Sequence, residues 1–192
     1  MLEEEYNPRR KLPPALGPAP EAEPPFEYAI RDAAAADLPG ILEIYNHYVL
    51  NSTVTLDEKP MTLAELRRRF AKTSEKHLPF LVAVSPRGEL LGFAYVFPWK
   101  AKAAYRHTVE NSIYLGPAST GRGLGKALLG EVIERARAAG LKEIVAVIAD
   151  ERAEASISMH EKFGFKEIGH MGKVGFKFDR WLGAVLMQKS LK

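Results

Sequence analysis

The chain lacks cysteine altogether and has no long hydrophobic run. The first absence excludes a disulfide framework, a thiol nucleophile and zinc sites built on thiolates. The second excludes a membrane-spanning helix, which needs about 20 consecutive apolar residues. The chain also begins with an acidic segment where a signal peptide is basic. We therefore expect a soluble, cytoplasmic protein.

A large excess of charge of one sign is also missing. Lysine and arginine number 27 against 24 acidic residues, a net charge of +3. This excess is too small to indicate nucleic-acid binding, although it suits a small anionic ligand. With 192 residues, of which 46% are hydrophobic and 27% charged, the chain has the size and composition of one globular domain.

Proline is concentrated at one end. Seven of the 13 prolines lie within the first 25 residues, among small and charged side chains. Such a segment buries too little apolar surface to offset the entropy cost of ordering it, so we predict a polyproline-like tail over residues 1–25. A proline-rich recognition ligand is the alternative. The folded domain is predicted to span residues 26–192.

From residue 26 onward, strand and helix patterns alternate. Helices are predicted after a cap at Asp37, after Thr62, after the turn at 121–125 and at 153–163. The order predicts an α/β (mixed α+β) fold with a mixed sheet covered by helices. A capping box of Thr62 and Glu65 begins the second helix, whose basic cluster we interpret as a solvated face rather than a binding patch. The cluster is Arg67, Arg68, Arg69 and Lys72. The predicted strands are 26–32, 78–85, 89–97, 107–115, 143–149, a strand from 165, and 184–191.

A glycine-rich turn lies between the fourth strand and the third helix. The P-loop pattern fails there because Thr120 replaces its first glycine and Ala127 its Ser/Thr, and the dinucleotide pattern fails because Lys126 replaces its third glycine. Backbone N–H groups at a helix N-terminus still predict an anion site, for which a pyrophosphate is the natural occupant. The alternative is that the glycines only permit a tight turn. The run is Gly121, Arg122, Gly123, Leu124, Gly125 and Lys126.

Several segments of the chain resemble a known family. The glycine turn and the later run 160–165, His-Glu-Lys-Phe-Gly-Phe, resemble the GNAT superfamily of N-acetyltransferases. Within that superfamily, the chain resembles the phosphinothricin acetyltransferase family and its relatives that acetylate methionine sulfone and sulfoximine. This narrower resemblance is carried by segments 98–100, 105–115 and 145–148. Together the similar segments extend over residues 28–191.

The resemblance implies a mostly antiparallel sheet with a V-shaped split that holds acetyl-CoA. Its pantetheine arm is implied to pair with the strand at 113–115, and its pyrophosphate to bind the turn at 121–126. Thr120 and Ala153 depart from the superfamily pattern of Gln or Arg and of Asn, respectively. A CoA-binding module with weak chemistry is therefore the rival to an enzyme. The cofactor residues assigned in this way are Ile113, Tyr114, Leu115, Gly121, Arg122, Gly123, Leu124, Gly125, Lys126 and Ser156.

Acetyl transfer to an amine needs a base, donors for the oxyanion and a leaving thiolate. Glu110 lies in an otherwise apolar and β-branched strand, where burial raises a carboxyl pKa and favours proton uptake. The resemblance assigns Glu110 the catalytic role, and a surface carboxylate is the alternative. His160 is implied to act as the acid for the leaving sulfur, or else makes a structural hydrogen bond. The backbone N–H of Tyr114 or Leu115 is expected to polarise the thioester carbonyl.

An amino-acid acceptor carries a carboxylate beside its amine. We expect Arg106 to bind that carboxylate, and Lys100 to add positive charge. Thr53 and Trp181 are expected to line the acceptor cleft, with core packing as the alternative for Trp181. Residues 182–183 are Leu-Gly, where phosphinothricin relatives have His-Asp. This departure favours methionine sulfone, methionine sulfoximine or another small amino acid as the acceptor.

The expected function is therefore acetyl transfer from acetyl-CoA to an amino-acid amine by direct attack, with no covalent enzyme intermediate. A protein or antibiotic amine is the alternative acceptor. His47 and His107 are interpreted as scaffold residues, and the spacing of the histidines predicts no metal site. The resemblance also implies a homodimer.

Overall fold

The computed structural model describes residues 26–192, so the tail predicted at 1–25 lies outside the described residues. Within that range no helix combines the length and apolarity needed to cross a membrane. Helices and strands follow one another in the predicted order. They are β1 (Ala29–Asp32), α1 (Leu38–Asn51), α2 (Leu63–Glu75), β2 (Phe80–Val84), β3 (Leu90–Pro98), β4 (Thr108–Leu115), α3 (Leu124–Ala138), β5 (Glu143–Ala149), α4 (Glu154–Lys162), β6 (Lys166–Lys177) and β7 (Arg180–Ser190).

The strands form one sheet in the order β1-β2-β3-β4-β5-β7-β6. Of the neighbouring pairs, β4 and β5 run parallel and the others run antiparallel. This architecture confirms the predicted mixed, mostly antiparallel sheet.

Helices cover both faces of the sheet because its central strands alternate buried side chains between two cores. Ala94 and Val96 of β3 face the core that contains the apolar side of α3. Phe93 and Tyr95 of the same strand face the core formed with α1 and α2. Successive side chains of a strand point to opposite faces, so a strand buried on both sides is apolar throughout.

The sheet opens between β4 and β5. The two strands pair only from Thr108 with Glu143 to Glu110 with Val145, although β4 continues to Leu115 and β5 to Ala149. Beyond Glu110 the strands diverge, which is the V-shaped split that the family resemblance implied. Glu110 is thus the last residue of β4 that pairs with β5.

Two local predictions differ in detail from the structure. Asp37 stands before α1 but its side chain makes no cap to that helix; its carboxylate accepts from the backbone N–H of Ala34 and from Arg31 instead. The last two strands extend further towards each other than predicted and form a hairpin, in which Phe178 and Asp179 join β6 to β7. Both residues have positive φ, 52° and 58°, and the usual signal for such a turn, a glycine, is absent.

Candidate active site

A cavity of about 540 Å³ occupies the split between β4 and β5. Its walls come from the two diverging strands, the glycine turn and α4, and Tyr48 of α1 also lines it. Residues that the sequence assigned to cofactor binding or catalysis make up much of the lining: Ile113, Tyr114, Leu115, Gly121, Gly123, Gly125, Lys126, Ser156 and His160.

The backbone of β4 presents its polar groups to this cavity at every second residue. The carbonyl oxygen of Thr108 accepts from the N–H of Trp99, just after β3, and the N–H of Gly116 donates to the carbonyl oxygen of Leu91 in β3. The backbone N–H and C=O groups of the even-numbered residues of β4 therefore face β3. By the alternation of an antiparallel strand, Ile113 and Leu115 direct their N–H groups into the split. Of the two donors expected for a bound carbonyl, Leu115 therefore faces the cavity, whereas Tyr114 faces β3.

Tyr48 and Tyr114 line the cavity. The hydroxyl of Tyr48 donates to the carbonyl oxygen of Leu115 at 2.7 Å, which holds the end of β4 against α1. The ring of Tyr114 packs 5.2 Å from the ring of Tyr45 and 5.3 Å from that of Phe93. Tyr48 was not identified from the sequence, where it is one of several apolar positions on α1.

The glycine turn has the backbone shape of an anion site. Gly121 and Gly123 have φ of 73° and 84°, in the left-handed region that side chains disfavour. Gly123 is the N-cap residue of α3, so the first N–H groups of that helix point out at the cavity mouth. Among residues 26–192, the backbone N–H groups of 121–125 have no hydrogen-bond acceptor. These free donors and the positive end of the helix fit a pyrophosphate.

The three non-glycine residues of this turn, at 122, 124 and 126, differ in where their side chains lie. Lys126 lines the cavity. The guanidinium of Arg122 lies 4.1 Å from the ring centroid of Phe26, away from the lining. The side chain of Leu124 is fully buried in the core under α3, so only its backbone is available to a ligand.

His160 is buried at the inner end of the cavity and hydrogen-bonded at both ring nitrogens. Its Nδ1 lies 2.8 Å from the carbonyl oxygen of Ser156, and its Nε2 lies 3.1 Å from Nδ2 of Asn111. Because a carbonyl only accepts, Nδ1 carries the proton and Nε2 accepts from the Asn111 amide. Burial lowers the pKa of His160, against the opposing effect of the Ser156 carbonyl. Burial therefore favours the neutral ring, in which Nε2 is the acceptor.

Glu110 stands at the apex of the split on the other face of the sheet. Its cross-strand partner is Phe97, and its side chain is half-buried on the α2 side. Burial raises the pKa of the Glu110 carboxyl, and the charges of Lys100 and Arg69 oppose this rise in part. A carboxylate with a raised pKa is suited to take a proton from an amine.

Comparison with known proteins agrees with this geometry. The family profile described as an acetyltransferase (GNAT) domain matches residues 30–186. The chain belongs to the GNAT acetyltransferase family. It is 45% identical to an L-methionine sulfoximine/L-methionine sulfone acetyltransferase of Pseudomonas aeruginosa, over 85% of this chain and 94% of that protein.

Two further relatives of this GNAT protein are similar over most of their length. A phosphinothricin N-acetyltransferase of Alcaligenes faecalis is 40% identical over 81% of this chain and 78% of that protein. The crystal structure of a GNAT superfamily phosphinothricin acetyltransferase from Sinorhizobium meliloti, in complex with AcCoA, superposes with a TM-score of 0.82. It is 42% identical and covers 85% of this chain and 88% of that chain.

The residues expected to bind the acceptor are spread more widely in this GNAT domain. Arg106 is exposed in the turn before β4, with Nη1 3.4 Å from the carbonyl oxygen of Ala103. The Nζ of Lys100 lies 4.4 Å from the centroid of the Trp99 ring. Trp181 is 59% exposed on the last hairpin. None of these side chains lines the cavity.

Thr53 lies in the loop after α1, beside Val54, which does line the cavity. A buried lysine fixes this loop to β6. Lys177 is 2% exposed, and its Nζ donates to the carbonyl oxygens of Ser52 at 2.7 Å and Thr55 at 2.8 Å. Sequence reasoning missed Lys177, since one lysine among many carries no signal of burial.

The two departures from the superfamily pattern leave the site's backbone intact. The hydroxyl of Thr120 donates to the carbonyl oxygen of Pro117 at 3.1 Å and stabilises the turn. Ala153 is buried and lines the cavity next to α4. His47 and His107 are exposed, and residues 26–192 contain no group of three or more side chains that could hold a metal ion.

Proposed function

We propose that the protein transfers the acetyl group of acetyl-CoA to the α-amine of a small amino acid or analogue. The observation that carries this proposal is the position of Glu110, at the apex of a split whose free backbone groups and glycine turn suit pantetheine and pyrophosphate. The named activities of the relatives support acceptors of the methionine sulfone, methionine sulfoximine and phosphinothricin type.

The reaction proposed is a direct displacement in a ternary complex. The amine nitrogen attacks the carbonyl carbon of the thioester, a C–N bond forms, the C–S bond breaks, and CoA leaves as a thiolate. Glu110 accepts the amine proton, directly or through a water. The N–H of Leu115 donates to the carbonyl oxygen as negative charge develops there. The chain has no cysteine, so a thioester on the enzyme is excluded.

The role proposed for His160 changes with its protonation state. The acid role expected of His160 needs a proton on Nε2, which the neutral ring with its proton on Nδ1 does not carry. We propose instead that His160 orients Asn111 and shapes the inner end of the cavity. The thiolate is then protonated from solvent after it leaves.

Acceptor binding is proposed to involve Arg106, Lys100, Thr53 and Trp181.

The protein is also proposed to form a homodimer. Support for the dimer comes from aromatic side chains left exposed on the last hairpin, since a contiguous apolar patch commonly marks an interface. Phe176, Phe178 and Trp181 are each about half exposed. Light scattering after gel filtration tests the proposal: a monomer at micromolar concentration overturns it.

The function is tested by calorimetry with acetyl-CoA and by thiol release with a panel of amines. The panel contains methionine sulfone, methionine sulfoximine, phosphinothricin, a peptide with a free N-terminus and an aminoglycoside. We expect turnover with the free amino acids. Tight acetyl-CoA binding without turnover of any amine overturns the enzyme in favour of a CoA-binding module. Turnover of the peptide or the aminoglycoside alone overturns the acceptor class.

A further inference from the structure

We propose that Arg69 of α2, rather than the exposed Arg106, binds the α-carboxylate of the acceptor and so places its amine beside Glu110. This proposal rests on the proposed function and names a specificity-determining residue for it. Arg69 belongs to the basic cluster that the sequence assigned to a solvated face, and no role follows from that cluster as a whole.

The periodicity of α2 separates Arg69 from its basic neighbours. Leu66 and Thr73, three residues before and four residues after it, are buried, so Arg69 lies on the face that packs on the sheet. Arg67 and Arg68 are exposed, whereas Arg69 is half-buried. One arginine of three is therefore turned towards the interior.

Arg69 lies beside two residues of β3, Tyr95 and Phe97. Its Nη1 donates to the hydroxyl of Tyr95 at 3.0 Å, and its Cζ is 6.0 Å from the centroid of the Phe97 ring. Phe97 pairs across the strands with Glu110, and the Cβ atoms of such a pair are about 5 Å apart. The guanidinium and the base thus share one face of the sheet.

The guanidinium has donors to spare. An arginine offers five N–H donors in a planar fork that matches a carboxylate. Among residues 26–192, Arg69 has the neutral hydroxyls of Tyr95 and Tyr45 as hydrogen-bond partners, and no carboxylate oxygen lies within 4.0 Å of its guanidinium. A half-buried cation without an anionic partner is suited to an anionic ligand.

The ligand's carboxylate is placed on the Glu110 side of Arg69. Arg69 also lines a separate cavity of about 480 Å³, but Asp57, Glu58 and Glu65 line that cavity too, and three carboxylates repel an anion. In an α-amino acid the carboxylate and the amine are bonded to the same carbon. A bidentate contact to Arg69 therefore limits the amine to the neighbourhood of Glu110.

The test compares each amino acid with its amide, which keeps the amine and lacks the charge. We expect Arg69→Gln to raise the KM for methionine sulfone about 10- to 100-fold, the usual effect of losing a charge-assisted hydrogen bond. The KM for acetyl-CoA should stay at its wild-type value, and the KM for methionine sulfone amide should rise much less than the KM for the acid, although loss of the Arg69 charge also acts on the Glu110 pKa. Arg69→Lys should restore part of the loss, and Arg68→Gln is the matched exposed control.

The outcomes separate the two proposals. Wild-type protein that turns over no amino acid overturns the proposed function and this proposal together. Wild-type turnover with equal losses for acid and amide in Arg69→Gln overturns the carboxylate contact and leaves a packing role. If Arg68→Gln raises the KM for methionine sulfone as much as Arg69→Gln does, the proposal is also overturned, because the effect then comes from the net charge of the surface.

Discussion

His160 accepts a buried hydrogen bond at Nε2 from the side-chain amide of Asn111, over 3.1 Å. Asn111 follows Glu110 directly in β4, and the two side chains point to opposite faces of the sheet. Two consecutive residues of β4 therefore place their side chains on opposite faces of the sheet. The Glu110 carboxylate lies on the α2 face of the sheet, and the Asn111 amide contacts the His160 imidazole on the α4 face.

The tautomer of His160 predicts the effect of changing its partner. Asn111→Asp should raise the pKa of His160, because a carboxylate cannot donate to Nε2 and favours a second proton on the ring. In the wild type, burial keeps that pKa below its ordinary value. Nitrogen NMR of the ring during a pH titration measures both forms. Asn111→Leu is the control, since it removes the partner without adding charge. A His160 pKa that stays low in Asn111→Asp contradicts this account.

Glu110→Gln should lower activity and raise stability. Loss of the base is expected to reduce kcat about 10²- to 10⁴-fold. Burial raises the Glu110 pKa, so the folded state at pH 7 carries a carboxylate that is more stable in the unfolded chain, and glutamine removes this cost.

The pH dependence of Glu110 has a definite sign. The wild-type rate should fall as pH decreases through the raised Glu110 pKa, because a protonated carboxyl cannot accept the amine proton. Glu110→Gln should lose this acidic limb. Rate profiles and melting temperatures from pH 4 to pH 8 measure both effects. If the variant keeps the limb, the base is another residue.

Gly123→Ala should weaken acetyl-CoA binding beyond its effect on stability. Gly123 has φ of 84° with open space around its Cα, so alanine costs about 1–2 kcal/mol through the left-handed backbone alone. Gly88→Ala is a matched control, with φ of 81° and equal space in the turn between β2 and β3. Both variants should lose similar stability, but only Gly123→Ala should raise the Kd measured by calorimetry. Equal Kd values for the two proteins argue against pyrophosphate binding at the turn.

Lys177→Met should disturb the loop that carries Thr53. It leaves two carbonyl oxygens without their donor, which costs about 1–3 kcal/mol when such groups are buried. We expect a higher KM for the acceptor and an unchanged Kd for acetyl-CoA. Lys173→Met, at an exposed position of the same strand, should change neither. An acceptor KM that stays constant in Lys177→Met shows that the loop does not contact the acceptor.

Features that depend only on neighbouring residues in the sequence were predicted correctly when those residues carry a clear pattern. The strand at 143–149 was predicted with its observed limits, because a continuous run of β-branched and apolar residues is typical of a strand buried on both faces. The capping box of Thr62 and Glu65 also forms as predicted. The turn at 178–179 was missed because its left-handed residues are not glycines.

Non-local properties could not be read in this way. Where β4 and β5 part depends on how two distant segments pair, and nothing in either strand marks Glu110 as the last paired residue. The orientation of Arg69 follows from the packing of α2 on β3. The protonation of His160 depends on Asn111, 49 residues earlier in the chain.

The sequence alone thus determined the order of the helices and strands, the position of the glycine turn and the family, because these depend on periodicity, glycine positions and short motifs. The tertiary structure alone decided which charged side chains are partly buried and which are exposed. It turns Arg69 inward and leaves Arg106 exposed, and it places the Nε2 of His160 against the Asn111 amide. Burial and partners set the charge of a side chain, and residues far apart in the sequence supply both.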